Sequence, residues 1–212
     1  VNQPLASILS GADASLRWLR RPVPDIEEAV AGLSGIRAGA ERAASIIASL
    51  RSLAKQDYAA MEPLVLDAVI EDVVRLTQPE VEAQQVSLTC QLTAGQTQVL
   101  GDRVQLQQIV LNLVTNALDA LAARSEGREL TITSAIEGAS LVVRVEDTGG
   151  GIPLELVDQI FMPLFTTKSS GMGMGLAIGR SIIEAHGGVL TAQPRAGGGA
   201  CFSFSLPILA GA

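Results

Sequence analysis

Aromatic residues and cysteines are scarce in this 212-residue sequence, and long apolar runs are missing. Aromatic residues make up 3% of the chain, so aliphatic side chains must fill the core that a hydrophobic fraction of 48% allows. The two cysteines, Cys90 and Cys201, match no metal-ligand spacing and are expected to be reduced, packed thiols. No stretch approaches the ~20 apolar residues of a membrane span, and no targeting segment is visible. These absences predict that this stretch of chain is cytoplasmic and makes no direct membrane contact, whatever its parent protein is attached to.

Positive charge is also in short supply. The formal net charge is −7, and residues 59–212 carry sixteen acidic and eight basic side chains, against six and seven in residues 1–58. No basic stripe suited to nucleic acid is present, so DNA or RNA binding is disfavoured. If the acidic part binds a polyanion, it needs a metal ion or backbone N–H groups to do so.

Hydrophobic periodicity predicts two long helices at the start of the chain. Apolar residues recur at three- and four-residue steps over residues 1–21 and again over residues 26–55. Two prolines separate the helices, and Asp25, with Glu28 three residues on, is placed to cap the second. So short a connection makes the helices antiparallel. The exposed apolar face of this hairpin predicts a homodimer with a four-helix bundle; packing of the hairpin on the rest of the chain is the alternative.

The helical periodicity lapses over residues 56–63, which predicts a linker between a hairpin domain, 1–58, and a second domain, 59–212. In the second domain strand and helix patterns alternate, and short turns join neighbouring strands. We therefore predict an α+β chain, in which a mixed α/β sandwich with helices on one face of the sheet follows the hairpin. A doubly wound parallel sheet is disfavoured. The predicted strands are 64–66, 86–92, 97–100, 130–136, 141–146, 188–193 and 200–206, and the predicted helices are 68–85 (interrupted near Pro79), 103–123 and 175–185.

Polar side chains interrupt the apolar helix pattern of Q-L-Q-Q-I-V-L-N-L-V-T-N-A-L-D-A. Asn112, Asn116 and Asp119 are spaced by four and three residues, so they share one helical face. Asparagine is a poor helix former that carries both donor and acceptor groups, so something polar is expected against this face. Ordinary buried amides bonded to nearby backbone are the alternative.

Three further stretches follow in a fixed order. In E-D-T-G-G-G-I-P, Asp147 precedes glycines that let backbone approach a ligand, although Asp-Gly turns are common. I-F-M-P-L-F-T-T-K joins an apolar anchor to groups that could meet phosphates, or forms a plain surface loop. In S-S-G-M-G-M-G-L, alternating glycines lead into a helix and expose N–H groups to an anion. That last spacing matches neither a dinucleotide fingerprint nor a P-loop.

Taken in this order, N-L-V-T-N-A-L-D-A, D-T-G-G-G-I, F-M-P-L-F-T-T-K and G-M-G-M-G-L resemble the N, G1, F and G2 boxes of sensor histidine kinases. The resemblance covers essentially the whole chain. It implies the Bergerat ATP-binding fold shared with gyrase, the Hsp90 chaperone and MutL. The hairpin resembles the dimerisation and histidine-phosphotransfer domain of the same kinases.

The resemblance implies a role for each motif. Asn116 would coordinate the Mg²⁺ that bridges the ATP phosphates, and Asn112 would line the same face. Asp147 would receive the adenine amino group, and the second glycine-rich stretch would bring N–H groups to the phosphates. The ATP-binding residues implied in this way are Asn112, Asn116, Asp119, Asp147, Gly149, Gly151, Ile152, Phe165, Thr166, Thr167, Lys168, Gly171, Met172, Gly173, Met174, Gly175 and Leu176.

The sequence departs from the family pattern in two places. Relatives often carry G-G-T-T-F where this chain has Ala200 and Cys201 before Phe202, so a hydroxyl near Asp147 is missing. This is expected to alter the water network around adenine. Gly150 stands where many relatives have a bulkier residue, which is expected to loosen the turn.

The resemblance implies a kinase, with ATP and Mg²⁺ as cofactors, that phosphorylates its own histidine and then an Asp of a response-regulator receiver domain. Relatives that hydrolyse ATP carry a Glu as general base where Asn112 stands, and an amide cannot remove a proton. An ATP-driven clamp of the gyrase or MutL type is one alternative. The other is a non-catalytic dimeric scaffold that binds nucleotide or nothing.

The only histidine, His186, lies in E-A-H-G-G at a predicted helix end, where a capping role is favoured over a phospho-acceptor role. Relatives carry H-E-x-N-Q-P-L where this chain begins with V-N-Q-P-L. The acceptor is therefore expected just upstream of Val1, and the chain as given is expected not to autophosphorylate. Gln3, one helical turn after the expected histidine, is the candidate residue for a phosphatase activity toward the regulator; a surface-facing role is the alternative.

Overall fold

The structure is a computed structural model that describes residues 2–36, 40, 61–168, 173–195 and 197–209. The chain divides into two compact units, Val1–Gln56 and Asp57–Ala212. In the described residues, no helix has the length and apolar character needed to cross a membrane.

The first unit contains helix α1 (Asn2–Leu19) and helix α2, which is described over residues 26–36. Asp25 caps α2, because its Oδ1 accepts a hydrogen bond from Glu28 N at 3.2 Å. The chain reversal at the prolines and the Asp25 cap are thus as predicted. The predicted continuation of the second helix to residue 55 lies outside the described residues, apart from residue 40, which is helical.

Small residues bring α1 and α2 close together. Ser15 Oγ donates to Ala29 O at 3.3 Å, and a Cβ on Gly32 would collide with that hydroxyl. A Cβ on Gly11 would lie 3.0 Å from Ile36. The later residue of α1, Ser15, contacts the earlier residue of α2, Ala29, and Gly11 lies near Ile36. The two helices are therefore antiparallel. The large apolar residues instead remain 42–67% exposed: Leu9, Leu16, Leu19, Ile26, Val30 and Leu33.

The described part of the second unit contains two sheets and three long helices. Its elements are β1 (Glu62–Val65), α3 (Leu66–Ala83), β2 (Ser87–Leu92), β3 (Gln98–Gly101), α4 (Arg103–Ala122), β4 (Glu129–Glu137), β5 (Ser140–Asp147), α5 (Gly175–Ala185), β6 (Val189–Pro194) and β7 (Ala200–Pro207). Two single 3₁₀ turns, Leu154–Leu156 and Gln159–Phe161, precede α5. The sequence patterns predicted every strand and long helix of this unit within a few residues, but not these two turns.

The main sheet has the strand order β2-β4-β5-β7-β6, with β2 and β4 parallel and the other pairs antiparallel. A separate antiparallel pair joins β1 to β3. Alternate strand residues are buried in one core with the apolar faces of the three helices; the strand residues include Leu130, Ile132, Leu141, Val143, Val145, Phe202, Phe204 and Leu206. The mixed α/β architecture is therefore confirmed, and the doubly wound parallel sheet is excluded.

Helix α3 differs from the prediction at Pro79, which lies inside a continuous helix. Proline removes one backbone donor and normally kinks or ends a helix. Here Val73, Thr77 and Val81 stay buried on one face through the proline. The packing of that face outweighs the lost hydrogen bond, which sequence periodicity alone could not weigh.

Glycines let α5 pack tightly against α4. A Cβ on Gly179 would collide with Ile109, and one on Gly175 would collide with the Asn112 amide. The first turn of α5 is therefore held against the middle of α4. This contact brings two of the sequence motifs together.

Candidate functional site

One face of α4 forms the centre of the candidate site. Asn116 and Asp119 lie on this face, and Lys168 reaches them from the F-M-P-L-F-T-T-K stretch. The Lys168 ammonium donates to Asn116 Oδ1 at 3.1 Å and to Asp119 Oδ2 at 2.6 Å. The polar partner that the Asn-rich helix predicted is thus a lysine. The amide and carboxylate oxygens form a ready position for a cation.

The start of α5 supplies hydrogen-bond donors beside Asn112. No side chain in the described residues caps the first turn of α5, so its leading N–H groups are available to an anion. Asn112 lies against Gly175, and its buried Nδ2 has no hydrogen-bond partner among the described residues. A buried donor without an acceptor is costly. This set of donors therefore fits an anion such as a phosphate.

Asp147 is a buried carboxylate at the end of β5. Its side chain is 2% exposed, and Oδ1 accepts a hydrogen bond from Gly149 N at 2.7 Å. Burial raises the pKa of Asp147 above its ordinary value, while the N–H groups of Gly149 and Ala200 and the charge of Arg195 oppose that rise. A buried carboxylate that retains an acceptor position suits an exocyclic amine of a nucleobase.

Three glycine backbones pack around Asp147. A Cβ on Gly149 would lie 2.7 Å from Ala120 Cβ on α4 and 2.8 Å from Asp147 Oδ1. Gly151 has φ +78°, and a Cβ there would lie 3.0 Å from Gly199 O. Gly199 itself lies directly against the Asp147 backbone, where no Cβ could fit. The site therefore requires glycine at these positions because neighbouring backbone and side-chain atoms fill the space that a Cβ would take.

We expect Gly149→Ala to weaken nucleotide binding about tenfold, because its Cβ must displace either α4 or the Asp147 carboxylate. The matched control is Gly150→Ala. A Cβ on Gly150 meets nothing within 4 Å, so this variant should bind as the wild type does. Titration of both variants with a fluorescent ATP analogue measures the difference. Equal affinities would contradict the packing argument.

The F-M-P-L-F-T-T-K stretch begins in the core and ends at the surface. Phe161 is buried and Phe165 half-buried, while Thr166, Thr167 and Lys168 are exposed. Gly173, with φ +63°, packs directly against the backbone of Leu164 and Phe165, where no Cβ could fit. Ile152, Met174 and Leu176 pack against the core. Gly171 and Met172 lie outside the described residues.

His186 is the C-cap residue of α5 and is buried. Its Nδ1 lies 2.7 Å from Ile182 O, and its Nε2 accepts a hydrogen bond from Asp102 N at 3.0 Å. Asp102 in turn caps α4 through Val104 N and Gln105 N. Both ring nitrogens are thus engaged in joining two helix ends, which agrees with the predicted capping role.

A metal at this site would have few protein ligands. The described part of the chain contains no group of three His, Cys, Asp or Glu side chains that could hold a metal ion. Mg²⁺ is commonly bound by one or two protein oxygens together with substrate phosphates. The Asn116 and Asp119 oxygens already hold a cation, the Lys168 ammonium. These residues therefore fit Mg²⁺ that arrives with a nucleotide.

Comparison with known families identifies the family to which the chain belongs. Residues 101–210 match the model of the histidine kinase-, DNA gyrase B- and HSP90-like ATPases, which covers about half of the chain. The chain belongs to this family. The match includes α4, Asp147, Lys168 and α5, so the four converging motifs lie in an ATP-binding domain of the GHKL type. The resemblance to sensor histidine kinases is confirmed.

The chain is similar to several sensor kinases. It is 38% identical to the sensor histidine kinase TmoS of Ectopseudomonas mendocina and 39% identical to the sensor protein FixL of Bradyrhizobium diazoefficiens. Both matches cover 98% of this chain but only 22% and 41% of the relatives. The chain thus spans less than half the length of these curated relatives.

Solved structures show the same GHKL fold. The nucleotide-free catalytic domain of histidine kinase ThkA is 32% identical, has a TM-score of 0.64, and matches 70% of this chain and 96% of its own. Acinetobacter baumannii histidine kinase AdeS matches 98% of this chain and 96% of its own with a TM-score of 0.74. At 21% identity, this second likeness concerns the fold alone.

Six of the residues expected at the site from the sequence come together around α4. The structure joins Asn116 and Asp119 to Lys168, and Asn112 to Gly175, while Ala120 supports Gly149. The sequence did not indicate Ala120, and it did not indicate that the Gly199 backbone packs on Asp147. The one sequence signal for this contact was the run of three glycines at 197–199. In the structure all three have positive φ, a conformation that favours glycine.

Proposed function

We propose that this chain is the catalytic core of a two-component sensor histidine kinase, acting in the cytoplasm. Residues 59–212 would form its ATP-binding domain and residues 1–58 its dimerisation and phosphotransfer hairpin. The observation that carries the proposal is the convergence on α4 of a buried carboxylate, a lysine and a helix N-terminus. The carboxylate suits the base of ATP, and the lysine and the helix N-terminus suit its phosphates.

The nucleotide would lie along α4. The Asp147 carboxylate accepts a hydrogen bond from the adenine amino group, and Gly149 and Gly151 admit the base. The first turn of α5 and the Asn112 amide donate to phosphate oxygens. Asn116 supplies the protein oxygen for Mg²⁺, which neutralises phosphate charge when bound. Lys168 then exchanges its present partners, Asn116 and Asp119, for the phosphates.

Asn112 favours phosphoryl transfer over hydrolysis. Its amide has no group that can accept a proton from water at neutral pH, so it cannot act as a general base. Its buried Nδ2 can only donate. The γ-phosphoryl would therefore go to a protein nucleophile, a histidine, and from there to an Asp of a response regulator.

The hairpin supports a homodimer. Six large apolar side chains of α1 and α2 are 42–67% exposed, while small residues form the contact between the helices. A second hairpin would cover this face in a four-helix bundle. Gln3 lies on α1 and is our candidate for the phosphatase role. One solved structure similar in fold, of ThkA, is a complex with response regulator TrrA, which supports a receiver domain as the partner.

The test is a titration of the 212-residue chain with a fluorescent ATP analogue, with and without Mg²⁺. We expect binding that Mg²⁺ strengthens, together with little release of phosphate at steady state. Rapid release would favour the ATP-driven clamp instead. Failure to bind any nucleotide would favour the scaffold and overturn the proposal.

The same chain should not become labelled on histidine. His186 is the only histidine, and both of its ring nitrogens are engaged in a buried site. Incubation with γ-labelled ATP is therefore expected to give no acid-labile, base-stable phosphohistidine. Robust labelling that His186→Gln abolishes would contradict this account of the histidine.

A further inference from the structure

Thr148 lies between Asp147 and Gly149, and the segment 124–129 holds every polar group it has. Its Oγ1 donates to Gly127 O at 2.5 Å and accepts from Glu129 N at 3.0 Å. Its backbone N–H donates to Glu129 O at 3.1 Å. Its carbonyl accepts from Arg124 Nη1 at 2.6 Å. One short segment thus fixes the residue beside the candidate base-binding carboxylate.

Arg124 and the Asp147 carboxylate form hydrogen bonds to opposite ends of the same peptide group. The peptide bond between Thr148 and Gly149 is planar, so its C=O and N–H point in opposite directions from one rigid unit. Arg124 holds the C=O end, and the N–H end donates to Asp147 Oδ1 at 2.7 Å. If this plane rotated, the carboxylate would lose its backbone donor. The guanidinium therefore fixes the orientation of Asp147 without touching it.

The segment is itself anchored. Arg128 Nη1 donates to Gln84 O at 2.6 Å, at the end of α3, and Arg128 Nε donates to Arg124 O at 2.7 Å. On the opposite side of the turn, Gly149 packs against Ala120, one helical turn after Asn116. The Asp147–Gly149 turn is thus held between a braced loop and α4.

We propose that Arg124 and Thr148 are positioning residues for nucleobase recognition, which they serve by orienting the Asp147 carboxylate. The inference rests on the proposed function, since it takes adenine as the ligand of Asp147. Because neither residue reaches the phosphate end of the site, the two should affect recognition of the base and leave binding of the triphosphate unchanged.

The experiment compares ATP with purine riboside triphosphate, which lacks the 6-amino group, in Mg²⁺ and by displacement of a fluorescent nucleotide. Arg124→Gln and Thr148→Val remove the two supports. We expect each to weaken ATP binding about tenfold and to weaken binding of the analogue less than about twofold. Thr148→Ser keeps the hydroxyl and Arg75→Gln removes an exposed arginine of α3, so both should behave as the wild type does.

The ratio of the two affinities separates positioning from general damage. If ATP and the analogue weaken equally, or if neither changes, the inference is wrong. Arg124 is exposed, so Arg124→Gln is expected to fold and can decide the question if Thr148→Val does not. A wild-type chain that binds neither nucleotide would instead overturn the proposed function.

Discussion

Asp147→Asn is expected to weaken ATP binding by about a hundredfold, because the adenine amino group would lose its hydrogen-bond acceptor in a buried site. The carboxylate has one oxygen bound to Gly149 N and would use the other for the adenine amino group. Asparagine can keep the first bond through its oxygen. Its amide nitrogen would then face the amino group, and two donors repel.

The same variant should not destabilise the nucleotide-free chain. Burial raises the pKa of Asp147 above its ordinary value of 3.8, so the folded chain binds a proton more tightly than the unfolded chain does. Stability is therefore highest below the unfolded pKa and falls as pH rises through the folded pKa. At neutral pH the ionised carboxylate costs stability, and an amide removes that cost. Asp147→Asn should thus unfold at an equal or higher urea concentration at pH 7, with the difference vanishing in acid.

Two measurements check this pair of expectations. Titration with a fluorescent ATP analogue gives the affinity, and urea unfolding at pH 7 and below pH 3.8 gives the stability. Asp158→Asn, which changes an exposed carboxylate immediately before the second 3₁₀ turn, is the matched control and should alter neither. Unchanged nucleotide affinity in Asp147→Asn would remove Asp147 from the site.

Asp147→Asn is thus expected to lower the affinity for ATP while leaving the stability equal or higher, and this contrast indicates why a buried carboxylate is present. A protein selected for stability alone has no reason to keep an ionised group 2% exposed at the end of a strand. Groups of this kind concentrate at functional sites. The burial of this carboxylate is therefore itself an argument that Asp147 binds something.

The sequence predicted the second unit well because its elements are strongly periodic and separated by clear turn signals. Strand β5 was expected over 141–146 and is Ser140–Asp147, and helix α5 matches the expected bounds, 175–185. Pro79 was misjudged because a local rule about proline carries no information on the buried face of α3. Parallel pairing of β2 with β4 could not be predicted either, since it joins strands about 40 residues apart.

The site was predictable where one residue type carries the chemistry, and not where contacts are made by backbone. Asn116, Asp147 and Lys168 stand out because amides, carboxylates and lysines are conspicuous in apolar or glycine-rich surroundings. The hydrogen bond from Arg124 to the Thr148 carbonyl leaves no sequence pattern, because its acceptor is a backbone group that every residue carries. The pairing of Lys168 with Asp119 spans 49 residues and needed the fold to be seen.

Asn116→Ala is expected to remove most of the Mg²⁺ dependence of ATP binding, a loss of about ten- to hundredfold in the presence of the metal. Asn116 Oδ1 now accepts a hydrogen bond from the Lys168 ammonium, which marks it as an oxygen that a cation can reach. The substitution removes that oxygen and leaves Asp119 as a single, exposed acceptor. Alanine is the best helix former, so α4 should remain intact.

Lys168→Met separates the metal contribution from the lysine contribution. This variant removes the ammonium but keeps both the Asn116 and Asp119 oxygens, so its ATP binding should still strengthen when Mg²⁺ is added. Affinities for the fluorescent analogue, measured with Mg²⁺ and with a chelator, give the ratio for each variant. That ratio should approach one in Asn116→Ala and stay near the wild-type value in Lys168→Met. If Asn116→Ala kept the wild-type ratio, the metal would have to be held without Asn116, and the assignment of this face of α4 to Mg²⁺ would be wrong.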